Sequence, residues 1–155
     1  MKLVGIAIKE GTRKPMIELP RAEISTETGV EKDYRGKPGK RQVTVLSLKA
    51  WKQVCNQLKV DLEWTKRRAN LLIDEIKLKN QTGARIRIGD AVLEITGETS
   101  PCDRMDEIYS GLKAALMPSW NGGVTCRVIR SGIVKVNDPV KFEPLKRQIS
   151  TKNTK

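Results

Sequence analysis

The apolar residues of this chain come in short runs, cut every few positions by Gly, Pro, Asn or Asp. That broken pattern suits many short strands and leaves nothing near the roughly 20 apolar residues needed to cross a bilayer. Residues 3–8 and 16–19 read as early strands on either side of the turn-rich Glu10-Gly11-Thr12-Arg13-Lys14-Pro15, and 43–46 as a further β-branched run. Arg85-Ile86-Arg87-Ile88 alternates polar and apolar residues, Gly89-Asp90 supplies a two-residue turn, and 91–96 alternates again, which predicts a hairpin. A second hairpin is expected from 124–129 and 133–136 around Ser131-Gly132, with 140–142 as a closing strand. Two helices interrupt these strands. Ser47 is placed to cap one in which Trp51, Val54, Cys55 and Leu58 fall on a single face, so Cys55 is expected in the core. The other spans 105–116, weakened by Gly111 and ended by Pro118. The sum is a β-rich α+β domain, barrel-like, over residues 1–144, followed by a basic tail, 145–155, expected to be disordered.

Composition narrows the chemistry. The 155 residues include no histidine, which closes Ser-His-Asp and Cys-His nucleophilic sites and mixed Cys/His zinc sites. Cys55, Cys102 and Cys126 are too few and too far apart for a disulfide framework, and residues 3–8 are too brief for a signal core, so reduced thiols and a cytoplasmic location are expected. A formal charge of +12 favours an anionic partner such as a phosphate, a nucleotide or a nucleic acid.

Three segments can carry chemistry. The run Tyr34-Arg35-Gly36-Lys37-Pro38-Gly39-Lys40-Arg41-Gln42 places cations around two glycines, so backbone amides and the charges of Lys37, Lys40 and Arg41 can approach a phosphate; the alternative is a solvated basic loop. Lys66-Arg67-Arg68-Ala69-Asn70 leads into Leu71-Leu72-Ile73, putting Arg67 or Arg68 and Asn70 at a strand mouth, where a guanidinium suits a phosphate and an amide suits a heterocycle, unless Asn70 merely satisfies a turn. Cys102 lies between a strand-like segment and the predicted helix. Arg104 and a helix start favour an anionic sulfur there and Asp103 opposes it, against the alternative of an inert buried thiol.

Taken in order, Gly39-Lys40-Arg41-Gln42-Val43-Thr44-Val45-Leu46-Ser47, Arg67-Arg68-Ala69-Asn70-Leu71-Leu72, Ile88-Gly89-Asp90-Ala91 with Leu93-Glu94, and Glu98-Thr99-Ser100-Pro101-Cys102-Asp103-Arg104-Met105 resemble the MOSC domain family, named after the C-terminal domain of molybdenum cofactor sulfurases, and its small free-standing bacterial members in particular. The resemblance implies a barrel-like fold and a signature cysteine, Cys102, that carries a persulfide or ligates molybdenum in a bound molybdenum cofactor (molybdopterin). It further implies that Arg68 and Asn70 hold the pterin, with Ala69 where relatives have proline, and that Arg67, Arg104, Lys37, Lys40 and Arg41 contribute to cofactor binding. A carrier needs a pyridoxal-phosphate-dependent cysteine desulfurase as partner, since this chain is too short to include that domain. A cofactor enzyme, such as the relatives that reduce N-hydroxylated bases, needs a separate electron-transfer protein. The competing reading is a basic, non-enzymatic nucleic-acid-binding module. It is disfavoured because three Trp, two Tyr and one Phe form no evident stacking platform among the cations.

Overall fold

The computed structural model describes residues 1–146. Of the expected tail, Leu145 and Lys146 are exposed, and 147–155 lie outside the described residues. Among the described residues are eleven strands and three short α-helices: β1 (Leu3–Ile8), β2 (Ile17–Glu18), β3 (Arg21–Ser25), β4 (Gly29–Val30), β5 (Val43–Ser47), α1 (Leu48–Leu58), β6 (Leu71–Ile73), β7 (Arg85–Ile88), β8 (Ala91–Glu98), α2 (Arg104–Ile108), α3 (Leu112–Leu116), β9 (Val124–Arg130), β10 (Gly132–Lys135) and β11 (Val140–Glu143). Eight strands form one curled, half-barrel sheet in the order β11-β7-β8-β9-β5-β6-β1-β2, and β10-β3-β4 form a second sheet.

Strand alternation divides the interior in two. In β5 and β6, Val43, Val45, Leu71 and Ile73 point into a core shared with Ile24, Val30 and Val134 of the small sheet. Leu46 and Leu72, one position out of phase, point to the other face and meet Trp51, Val54 and Cys55 of α1 and Met105, Leu112 and Leu116 of α2 and α3. β5 and β6 are parallel, as a crossover helix between them requires. Ser47 caps that helix by accepting from the Ala50 amide at 3.3 Å. Cys126 is fully buried in the larger core, and burial pushes its thiol strongly up, so neither it nor Cys55 is available for chemistry.

The first predicted hairpin forms, with Ile88 opposite Ala91. The second does not. Only Ser131 separates β9 from β10, too short a link for a hairpin, and the chain crosses instead to the small sheet, where Val134 pairs with Ala22 of β3. Gly132 permits this crossing because a Cβ there would lie 2.4 Å from the Ala91 amide. The predicted helix over 105–116 is also two helices, since Gly111 adopts φ 93° and breaks the run. β3, whose only large apolar residue is Ile24, and the two-residue β4 were not anticipated.

Gly123, just before β9, has φ +94°, and a Cβ on it would lie 2.3 Å from the Val45 carbonyl oxygen. Gly123→Ala is therefore expected to lower stability by at least about 2 kcal/mol, combining left-handed strain with a displaced strand. A urea midpoint unchanged from wild type would contradict this.

Candidate functional site

The site lies at the amino-terminal ends of the parallel strands β5 and β6, where three segments converge. Asn70, 5% exposed, joins them. Its Oδ1 accepts from the Thr44 amide at 3.0 Å and from Thr44 Oγ1 at 3.2 Å, and its Nδ2 donates to the Ala7 carbonyl at 3.1 Å. Its carboxamide thus ties β5 and β1 together first. A ligand can be offered only the Nδ2 hydrogen not engaged with Ala7.

The two arginines before Asn70 diverge because the chain leaves a short 3-10 helix, Trp64–Arg67, through a left-handed Arg68 at φ 68°. Arg67 turns inward and is 7% exposed. Its Nε donates to the Gly122 carbonyl at 3.0 Å, its Nη2 to the Thr99 carbonyl at 2.8 Å, and its Nη1 approaches Met105 Sδ at 3.9 Å. Arg67 therefore grips the loop that carries Cys102 on both sides of the cysteine. Arg68 stays partly exposed, its Nη2 donating to the Lys14 carbonyl at 2.6 Å.

Cys102 is exposed, on the segment between β8 and α2. A register irregularity between Ile95 and Gly97 precedes it and turns the end of β8 away from regular pairing. The helix after it has only five residues, so little of the expected help for an anionic sulfur comes from a helix dipole. Beside the cysteine, Lys113 Nζ sits 2.6 Å from Asp103 Oδ1 and holds that carboxyl below its usual range.

These segments enclose a cleft of about 190 Å³ lined by Cys102, Thr44, Thr99, Asn70 and the cations Lys9, Arg35, Arg41, Arg67, Arg68 and Arg104. Asp33 is its one carboxylate, and Asp33 accepts backbone amides, from Lys9 at 2.9 Å and from Arg35 at 3.4 Å. One carboxylate thus stands against six cations in the lining. Burial and the neighbouring Arg68, Arg35 and Arg104 push the half-buried Lys9 ammonium down, with Asp33 opposing; burial, then Arg104, likewise lowers Arg68. The excess of positive charge in this lining suits an anionic ligand.

Of the residues singled out in the sequence, Cys102, Arg67, Arg68, Asn70, Arg41 and Arg104 are brought together. Lys37 and Lys40 are not. They line an open groove with Tyr34, Pro38 and Gly39, which adjoins the cleft through Arg35 and Arg41. Lys9, Asp33, Thr44 and Thr99 were not anticipated as lining residues, because Lys9, Thr44 and Thr99 lie in or next to a strand and Asp33 in a turn, where each reads as an ordinary polar position. For Asp33 and Arg35, the basic run beginning at Tyr34 was a partial signal.

A model of the MOSC domain matches residues 31–141. The chain belongs to the MOSC domain family. Its structure is similar to that of the YuaD protein from Bacillus subtilis, with a TM-score of 0.77 at 18% identity over 94% of this chain and 96% of that one. It is also similar to YiiM from Geobacillus stearothermophilus, TM-score 0.71 at 12% identity over 96% and 77% of the two chains, and to YiiM from Escherichia coli, 0.65 at 18% over 96% and 71%. At these identities the likeness is one of fold. Comparison with curated proteins gave no match.

The MOSC family is associated with the molybdenum cofactor, and the residues present fit that group. Among the described residues no three His, Cys, Asp or Glu cluster, and Cys102 is the soft donor in the cleft lining that is exposed. The cations suit phosphate and oxo groups. Thr99 Oγ1 is buried without a hydrogen-bond partner, one more polar atom unmatched in the lining. At about 190 Å³ the cleft is smaller than the roughly 300–1,000 Å³ of a typical ligand pocket, and it adjoins the open groove through Arg35 and Arg41. No helix among the described residues is long and apolar enough to cross a membrane.

Proposed function

We propose that this MOSC domain binds the molybdenum cofactor in the cationic cleft, with Cys102 contributing its sulfur to the metal. The observation that carries the reading is an exposed thiol set among Lys9, Arg35, Arg41, Arg67, Arg68 and Arg104, with Asp33 the one carboxylate in the lining. Arg68, Arg104 and Arg41 would hold the anionic groups, Asn70 would offer its remaining N–H to the pterin, and Arg67 would keep the Cys102 loop in place. When bound, the group would supply two-electron oxo-transfer chemistry, suited to reducing N-hydroxylated compounds with electrons from a separate protein. The protein's own part is to bind the anion, fix the sulfur and exclude competing ligands.

A second reading, persulfide carriage, is favoured by the exposure of Cys102. Sulfur transfer needs the donor and acceptor sulfurs to come into bonding contact, which a buried thiol cannot allow. A pyridoxal-phosphate-dependent cysteine desulfurase would then be the partner.

Protein purified from a host that makes the cofactor, wild type beside Cys102→Ser, distinguishes these readings. Molybdenum in the wild type that is lost in the variant supports the first, and persulfide without molybdenum supports the second. Equal molybdenum and no persulfide in both proteins would sink the two together.

A further inference from the structure

The loop over residues 34–41 borders the cleft, with Arg35 and Arg41 in the lining and Lys37 and Lys40 outside it, and it is anchored twice. At one end Gly36 is buried so closely that a Cβ would lie 1.6 Å from the Thr28 carbonyl oxygen. At the other, Gln42, 2% exposed, donates from Nε2 to the Thr26 carbonyl at 2.9 Å and to the Gly36 carbonyl at 3.2 Å, and accepts from the Val128 amide at 2.9 Å. Arg35 just before the first anchor, and Lys37, Lys40 and Arg41 between the two, are exposed, and none makes an ion pair among the described residues. Tyr34, 53% exposed, stands beside them.

We infer that this loop is a docking rim for a partner protein that presents a carboxylate-rich face around its own sulfur or electron donor; the inference rests on Cys102 being the group served. Three features separate that partner from other anions. The groove, about 510 Å³, is too open to strip water from a small anion, so Lys37 and Lys40 gain little from binding one. A nucleic acid strand calls for a series of aromatic faces, and here there is only Tyr34. An arginine-and-tyrosine patch ringed by lysines matches the composition of a protein interface, and its charge would steer an acidic surface onto the mouth where Cys102 is exposed.

The test uses short synthetic peptides whose single cysteine is activated as a mixed disulfide with thionitrobenzoate. The Cys102 thiolate attacks the peptide sulfur, a new disulfide forms, the original one breaks, and the coloured thionitrobenzoate thiolate leaves, so the second-order rate reports encounter at Cys102. With the wild-type chain, a glutamate-rich peptide is expected to react at least about tenfold faster than a serine-rich one of equal length, and high salt should erase the difference. Lys37→Glu/Lys40→Glu should collapse this ratio, whereas Lys77→Glu/Lys79→Glu, an equal charge change elsewhere on the surface, should preserve it. Equal rates for the two peptides, or equal losses in the two double variants, overturn the docking rim. So does an oligothymidylate bearing the same disulfide that outpaces the acidic peptide and is slowed by the rim substitutions. If the serine-rich peptide fails to react with Cys102 at all, the fault lies in the accessible-sulfur reading itself.

Discussion

Arg67→Met is expected to lower the unfolding free energy by about 3 kcal/mol, because it removes charge-assisted hydrogen bonds to the Gly122 and Thr99 carbonyls and leaves both without this donor in a largely buried setting. Part of the loss is offset, since the guanidinium is itself desolvated, and burial is the main cause pushing its pKa down. The loop carrying Cys102 should loosen more than the fold as a whole. Thr99 and Met105, three residues to either side of Cys102, are both held by this one side chain. Gly122 shows that the packing is specific, for a Cβ there would come within 3.1 Å of Arg67 Nη2. Urea unfolding gives the stability change, and hydrogen exchange over residues 98–105 gives the loosening. Arg67→Lys, which keeps the charge but not the two-carbonyl reach, should fall between wild type and Arg67→Met. A variant within about 0.5 kcal/mol of wild type, with unchanged exchange in that segment, would mean that Arg67 does not hold the loop.

Lys9→Met should act in opposite directions on stability and binding. Burial and three neighbouring guanidiniums lower the folded-state pKa of Lys9 below the ordinary 10.5, with Asp33 only partly opposing. Below the folded-state pKa the ammonium is charged in both states and its cost to folding is fully present. As pH rises from there toward 10.5, the folded state has already released a proton that the unfolded state keeps, so the cost disappears. The variant is therefore expected to be more stable than wild type at neutral pH, by an amount that shrinks through that alkaline window. It should also bind inorganic phosphate about tenfold more weakly, the effect of losing one charged contact in a shielded cleft. Urea midpoints across the pH range and calorimetric phosphate titrations check the two signs. A variant that loses both stability and affinity would mark Lys9 as a structural residue.

Features set by neighbouring residues were legible without coordinates. The Ser47 cap, the turn at Gly89-Asp90, the face of α1 carrying Cys55 and the junction position of Cys102 depend on turn chemistry and periodicity over a few residues, and each is found in the structure. The misread elements share a different origin. β10 leaves its neighbour β9 for β3, more than 100 residues away in sequence, and no local signal encodes that choice of partner. The single helix expected over 105–116 failed at Gly111, where one left-handed residue outweighed a helical spacing.

The same boundary runs through the site. From sequence alone come the β-rich α+β class, the family resemblance, the exclusion of histidine chemistry and the nomination of Cys102 with the basic segments. Only the tertiary structure could decide that Arg67 turns in as a clamp while Arg68 faces the cleft, that Asn70 is largely engaged by Thr44 and Ala7, that Lys9 joins the cationic lining, and that Lys37 and Lys40 stand on an open rim outside it. Side-chain chemistry is written residue by residue. Which charges share a cleft, and which are cancelled or left unanswered, follows from long-range pairing that brings segments far apart in the chain within a few ångströms.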